Sequence, residues 1–351
     1  MTKLTDSYIN SVDQDGMRNL MLRFPDHWSE IRNETRNLDL EVDFSRVSNI
    51  CLAGMGGSAI GGDLIRAYSY DTSPVPVNVV RHYEIPEWVG SDTLFIGCSY
   101  SGNTEETLSA VNQAVQKGAQ IIVVTSGGEL MVKAQKNDFD YIKIPGGLPP
   151  RAALAYSFIP LFRIFQLFDL IEEGKAELDE TEELLYDQAE MFSDLQSSEA
   201  LELARNIKDT LPVIYADDTL MEPVQLRWRG QFEENAKTLA YGNSFPEMNH
   251  NEIVGWDQIA HLTGRLTVLS LRDSEDNKRV SARMDITKDL IEDHAVNYHT
   301  LHTTGDSRLT RLFSLIQMAD WTSLYLALLY EVDPTPVSRI DMLKSKLSEL
   351  S

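Results

Sequence analysis

The chain has 351 residues with 54 acidic against 31 basic side chains, and its formal charge of −23 works against extended contact with nucleic-acid phosphates. Hydrophobic residues make up 42%, enough for substantial cores, and the length suits two α/β domains better than one. No continuous apolar run is long enough to cross a bilayer and no charged-then-apolar export pattern opens the chain, so no membrane contact and a cytoplasmic location are expected.

Residues 1–45 place apolar side chains at helical spacing (Ile9, Val12, Met17, Leu20, Met21), and Pro25 is expected to break this helix before Trp28 and Ile31 begin another. From Val47 short β-rich runs at 48–53, 75–80, 93–98, 120–125 and 140–144 alternate with helical stretches. That order predicts a parallel sheet covered on both faces, with ligands at the carboxyl ends of its strands. Residues 163–203 read as helical and are strongly acidic over 172–183, a solvated face or linker. A second alternation follows, with strands at 212–216, 266–271 and 297–301 and helices near 221–240 and 288–296. An apolar helix at 312–329 stops before Asp333-Pro-Thr-Pro336, and a short tail helix is expected over 337–350. The expected division is a leader (1–45), a first domain (46–165), a helical linker (166–205), a second domain (206–335) and a tail (336–351). Cys51 and Cys98 each sit in an apolar run, where a buried thiol is expected rather than a bridge. No Cys/His spacing suits a metal.

Two stretches carry the signs of a ligand site. The first β-run ends in Gly54-Met-Gly-Gly-Ser58, whose glycines (Gly56 and Gly57 among them) permit positive φ and close approach, with the Ser58 hydroxyl at the mouth of the next helix. A dinucleotide loop is the rival reading, but the spacing meets G-x-G-x-x-G only in part. The run at 93–98 ends in Ser99-Tyr-Ser-Gly-Asn-Thr-Glu-Glu-Thr107, placing the hydroxyls of Ser99, Ser101 and Thr104 where unpaired N–H groups and the helix dipole favour an anion. The plainer reading is capping by Ser101 or Asn103, with Glu105 or Glu106 in the first turn.

Together with Pro149-Pro-Arg-Ala-Ala153, Glu234-Asn-Ala-Lys237 and Glu247-Met-Asn-His-Asn-Glu-Ile-Val-Gly255, these stretches resemble the bifunctional phosphoglucose/phosphomannose isomerases, from about Ile50 to Lys344. The resemblance implies an α/β protein of two SIS-type three-layer α/β/α domains with mainly parallel sheets, plus N-terminal and C-terminal helices. It implies reversible conversion of glucose 6-phosphate or mannose 6-phosphate to fructose 6-phosphate, without metal or cofactor. Phosphate would fall to Ser99, Ser101 and Thr104, with Gly56, Gly57 and Ser58 on the sugar side. Arg151, held after two prolines, would stabilise the enediolate oxygen. Glu234 would be the general base in preference to Glu233, which on a helix points about 100° away. His250 would serve ring opening from the partner subunit of an obligate dimer, assisted by Lys344, although Lys346 is close by. Thr335 is a candidate for shaping room around carbons 2 and 3.

The competing class is a non-catalytic phosphosugar sensor, since a phosphate-binding fold alone does not specify chemistry. A sensor needs no base, fixed arginine or proton relay, and no basic DNA-reading segment is evident. An isomerase of another sugar phosphate is the third reading.

Overall fold

A computed structural model describes residues 4–172 and 174–350. Glu173, within the acidic run, lies outside the described residues, as do residues 1–3 and 351 of the leader and tail. The leader folds into α1 (Asp6–Val12), α2 (Met17–Leu22) and α3 (Phe24–Glu34). Pro25 does not precede the break but sits in the first turn of α3, where its missing N–H has no intrahelical partner to lose. Next come β1 (Asn49–Ala53), α4 (Gly56–Tyr68), β2 (Val77–Val80), β3 (Thr93–Ser99), α5 (Glu105–Gln116), β4 (Gln120–Thr125), α6 (Gly128–Lys136) and β5 (Asp140–Lys143). The connecting helices are α7 (Leu154–Leu167), α8 (Lys175–Ser193) and α9 (Glu199–Ile207). The second alternation is β6 (Leu211–Asp217), α10 (Glu222–Asn235), β7 (Tyr241–Phe245), α11 (Ala260–Thr263), β8 (Leu266–Arg272), α12 (Lys278–Ile291) and β9 (Asn297–His302), followed by α13 (Arg308–Leu329) and α14 (Ser338–Ser348).

Two parallel sheets result, ordered β2-β1-β3-β4-β5 and β7-β6-β8-β9. In each, the chain leaves its first strand toward one edge and returns to the other side, so a crevice opens at the carboxyl ends of β1 and β3 in one and β6 and β8 in the other. The fully buried β3 reads as a continuous apolar run because helices cover both faces.

Three expected elements are displaced. The helix expected at 221–240 stops at Asn235, because Lys237 turns the chain at positive φ (56°) into β7, a strand whose polar Tyr-Gly-Asn-Ser sequence concealed it. The helix expected at 288–296 instead spans Lys278–Ile291, since the Asn277 side chain accepts the Arg279 N–H and fixes its start. The helix expected from 312 starts at Arg308, capped by the Ser307 side chain on the Thr310 N–H.

Helix α13 is long and apolar enough to span a bilayer by composition, with mean hydropathy 1.3, yet 89% of that window is buried inside the fold. It packs against α8, α9 and α10. Trp28 of α3 lies edge-on to Phe313 of α13 at 4.7 Å, and Phe313 meets Phe158 of α7 at 5.1 Å. Each such ring withdrawn from water contributes about 1.5–3 kcal/mol, so the leader is part of the central core rather than an appendage. Both cysteines are buried free thiols.

Candidate active site

The site lies where α4 and α10 meet. Each follows the first strand of its sheet, and they run antiparallel: Arg66 near the end of α4 pairs with Glu222 at the start of α10 at 2.8 Å. The amino end of α4 is thereby set beside the carboxyl end of α10.

At the first crevice, a Cβ on Gly54 would stand 3.0 Å from the Cys98 carbonyl oxygen, so the ends of β1 and β3 close on each other. Gly56 enters α4 at φ +50°. The buried Ser58 hydroxyl accepts the Tyr100 N–H at 3.1 Å and ties the two loops together. Ser99 is buried, its Oγ 2.8 Å from Thr104 Oγ1, and it accepts the Gly102 N–H at 3.1 Å. Ser101 is exposed at the turn's outer edge and accepts the Asn103 N–H at 3.3 Å.

Neither Ser101 nor Asn103 caps α5. The N-cap of α5 is Thr104, whose side chain caps nothing, while Asn103 Oδ1 is taken by the Glu129 N–H at 2.9 Å. The first N–H groups of α5 therefore have no side-chain acceptor, which leaves them for an anion. Gly102 (φ +73°) makes the turn possible: a Cβ there would fall 1.8 Å from the Gly127 carbonyl oxygen. Sequence reasoning missed this supporting loop, although Thr125-Ser-Gly-Gly128 after β4 was its signal.

Arg151 sits in a short 3-10 turn (Pro150–Ala152) and not at the start of α7, which begins at Leu154. The consecutive prolines set that turn, and Gly57 admits it: a Cβ on Gly57 would lie 2.6 Å from the Pro150 carbonyl oxygen. The Arg151 side chain is 4% exposed. Its Nε donates to Asn235 Oδ1 at 2.6 Å, and its Nη2 to the carbonyls of Pro334 and Thr335 at 2.7 and 2.8 Å. Nη1 has one long contact, 3.4 Å to Glu234 Oε2, and is the guanidinium nitrogen left for another acceptor. Burial pushes the Arg151 pKa below its ordinary value, opposed by Glu234 and reinforced by Arg227.

Glu234 is one-third exposed while Glu233 beside it points into solvent. Behind them, Arg227, Gln231 and Asn235 repeat every four residues along α10 and form a buried polar stripe. Arg227 donates from Nε and Nη2 to Asp320 of α13 at 3.1 and 2.6 Å, and from Nη2 to the Arg151 carbonyl at 3.0 Å. Gln231 donates to Asp320 at 2.6 Å, and Asn235 to Ser323 Oγ at 2.9 Å. None of these was singled out from sequence, though three hydrogen-bonding side chains four apart on a helix with Trp228 and Phe232 signal a buried network. Lys237 donates to the carbonyls of Glu234 and Pro334 at 2.5 and 2.9 Å, and burial, with Arg151 nearby, pushes its pKa down.

Thr335 reaches this cluster through its carbonyl, and its buried Oγ1 has no hydrogen-bond partner. Two expected residues are not joined to it. His250 ends a 3-10 turn (Glu247–His250), exposed, and Lys344 is exposed on α14; among the described residues neither bonds to Glu234 or Arg151. The structure thus joins Ser58, Ser99 and Thr104 to Arg151, Glu234 and Thr335 through the contact of Gly57 with Pro150.

Two family descriptions match: an SIS domain over residues 43–145, and the C-terminal SIS domain of bacterial phospho-glucose isomerases over 196–347. A bifunctional phosphoglucose/phosphomannose isomerase of Caldicellulosiruptor bescii is 46% identical over 318 residues, covering 90% of this chain and 94% of the relative. Its counterpart in Aquifex aeolicus is 35% identical, covering 89% and 94%. Among solved structures, a hypothetical protein of Thermus thermophilus superimposes with a TM-score of 0.75 at 16% identity, over 98% of this chain and 94% of the other, a likeness of fold. On the length and identity of these matches, the chain belongs to the bifunctional phosphoglucose/phosphomannose isomerase family.

Proposed function

We propose that this protein interconverts glucose 6-phosphate and mannose 6-phosphate with fructose 6-phosphate by proton transfer through a cis-enediolate, in the cytoplasm and without a metal or cofactor. The observation that carries the reading is the Arg151–Glu234 pair standing next to a hydroxyl-lined helix mouth across the Gly57–Pro150 contact. Phosphate binds Ser99, Ser101, Thr104 and the first N–H groups of α5, with Gly56, Gly57 and Ser58 along the sugar.

Glu234 removes the proton from carbon 2 of the open aldose and returns it to carbon 1, and Arg151 Nη1 meets the oxygen on which negative charge develops. A guanidinium whose Nε and Nη2 are already committed to protein acceptors is preorganised for this, because it does not reorient as the charge appears. Thr335 Oγ1 borders the space around carbons 2 and 3 in which the two aldose epimers differ.

Ring opening falls to His250 of the partner subunit in a homodimer, with Lys344 docking from α14. The support for His250 is an exposed imidazole on a firmly held loop: Glu252 accepts from Tyr241 at 2.9 Å, from Asn243 at 2.5 Å and from Tyr215, and Met248 is buried below. The domain boundaries expected from sequence stand as part of this proposal, the first domain holding phosphate and the second supplying the base.

Glu234→Gln should abolish conversion of fructose 6-phosphate while leaving its binding nearly intact, whereas Ser99→Ala with Ser101→Ala should raise KM. Unchanged turnover in Glu234→Gln removes it as the base.

A further inference from the structure

At the end of α7 remote from Arg151, the chain forms a polar surface cavity of about 320 Å3. Its walls are the end of α3 (Thr35, Arg36), Leu38, and the last turn of α7 with the segment after it (Arg163, Gln166, Asp169, Ile171). By helical rise a helix of 14 residues is about 21 Å long, so the cavity is well separated from the site at the other end.

The three arginines at this end of the fold differ in how their charge is answered. Arg32 pairs with Asp179 and with Glu182, so its charge is answered within the fold. Arg163 has no ion pair among the described residues; its Nη1 donates to Gln166 Oε1 at 2.7 Å and its buried Nε has no partner. Arg36 is exposed, and its side chain has neither hydrogen bond nor ion pair among the described residues. The charged groups acting on Arg163 are Arg32 and Arg36, both repulsive, and with burial they push its pKa below the ordinary value. The carbonyls ending α3 and α7 make the region tolerant of cations. They supply no full counter-charge to the two guanidiniums that line this one space. Asp169, exposed at the rim, is the lone carboxylate in the lining.

We propose that this cavity is a second, non-catalytic site for a small multiply charged oxyanion, a phosphate or a polycarboxylate, held between Arg36 and Arg163. Two guanidinium forks presented to one space suit bidentate contacts with planar or tetrahedral oxyanions. The volume is that of a small-metabolite pocket.

The test uses the Ser99→Ala/Ser101→Ala protein, in which the catalytic phosphate grip is weakened, titrated by calorimetry with inorganic phosphate and separately with citrate. At least one anion should bind, and adding Arg163→Gln should weaken that binding at least tenfold. Arg36→Gln, at an exposed position with no side-chain bond to lose, should weaken it as well. The thermal midpoint gives an independent reading: in anion-free, low-salt buffer Arg163→Gln should melt above its parent, because a repelled charge has gone, and should gain nothing from the anion. Tighter binding of phosphate than citrate points to a phosphate ester as the occupant, and the reverse to a carboxylate metabolite; either supports the site. Binding of neither, or binding that both arginine variants leave unchanged, overturns it. The outcome is independent of the catalytic assignment, which is read from turnover of Glu234→Gln.

Discussion

Gly57→Ala tests the idea that the two halves of the active site are held in register by a contact with no slack. The added Cβ would stand 2.6 Å from the Pro150 carbonyl oxygen, whereas ordinary contacts begin at 3.4 Å, so the start of α4 and the Pro150–Ala152 turn must separate by about 0.8 Å. Arg151 sits on that turn and is bonded to Asn235, Pro334 and Thr335, so either its guanidinium moves against Glu234 or the Ser58 end of the cleft moves away from both. A displacement approaching 1 Å at reacting groups costs about 10²-fold. Folding should suffer less: Gly57 lies within a helix at ordinary φ, where alanine gains about 0.5–1 kcal/mol over glycine against about 1–3 kcal/mol of overpacking. The expected result, in a coupled assay following glucose 6-phosphate formed from fructose 6-phosphate, is kcat reduced by about 10–100-fold with a thermal midpoint within a few degrees. Gly62→Ala is the control, since its Cβ would meet Val79 and Leu52 at 3.5–3.6 Å, ordinary contacts, and its activity should be native. Gly57→Ala with activity within threefold of Gly62→Ala would refute the reasoning.

Arg227→Lys removes a fork that holds Asp320 and the Arg151 carbonyl together, so kcat should fall by about 10–100-fold while KM for the hexose phosphate, set in the other crevice, changes little; the opposite split in steady-state kinetics counts against the positioning role. Gly56→Ala places a side chain at φ +50° and should cost about 1–2 kcal/mol of stability, read as a lower denaturation midpoint; no loss would mean that α4 can begin in another conformation. Asp276, with a side chain 3% exposed, has its carboxyl pushed up to about 6 by burial and by Asp217. Since this folded-state value lies above that of the unfolded chain, the ionised form destabilises the fold by up to about 3 kcal/mol above pH 6, a penalty that shrinks as pH falls and is gone below about pH 4. Asp276→Asn should therefore raise the melting midpoint at pH 8 and progressively less toward pH 4.5, with Arg272 still paired to Asp285 at 2.6 Å; a gain independent of pH excludes the carboxylate as its cause.

The strands legible in the sequence were those whose burial on both faces leaves an apolar run, such as β3 and β4. Strand β7 was not, because an edge strand that exposes Tyr241 and half-buries Gly242, Asn243 and Ser244 need not be apolar, and its Asn243 is spent on Glu252. The same division runs through the candidate site. Ser58, Ser99 and Thr104 could be read from local order alone, since a strand, a break and a helix put their hydroxyls at a helix mouth. The neighbours of Arg151 could not: Asn235, Pro334 and Thr335 lie 84, 183 and 184 positions away, and what brings them together is the packing of α10 on α13.

Under the proposed function, the two crevices account for one catalytic cleft built from a pair of similar sheets. At the ends of β1 and β3 the chain offers glycines and hydroxyls, and the first turn of α5 is left without a side-chain cap. At the ends of β6 and β8 it offers Asp217, Asp218, Asp273 and Asp276, and Asp217 accepts the Met221 N–H just before α10 while Asp273 holds Arg311 at 2.8 Å. Those carboxylates fill the position that the proposed phosphate site holds in the first sheet, and their charge opposes an anion there. With no anion to hold, the second domain is free to use the opposite end of its first helix. The antiparallel packing of α4 and α10 delivers that end, with Glu234, beside Gly57 and Ser58.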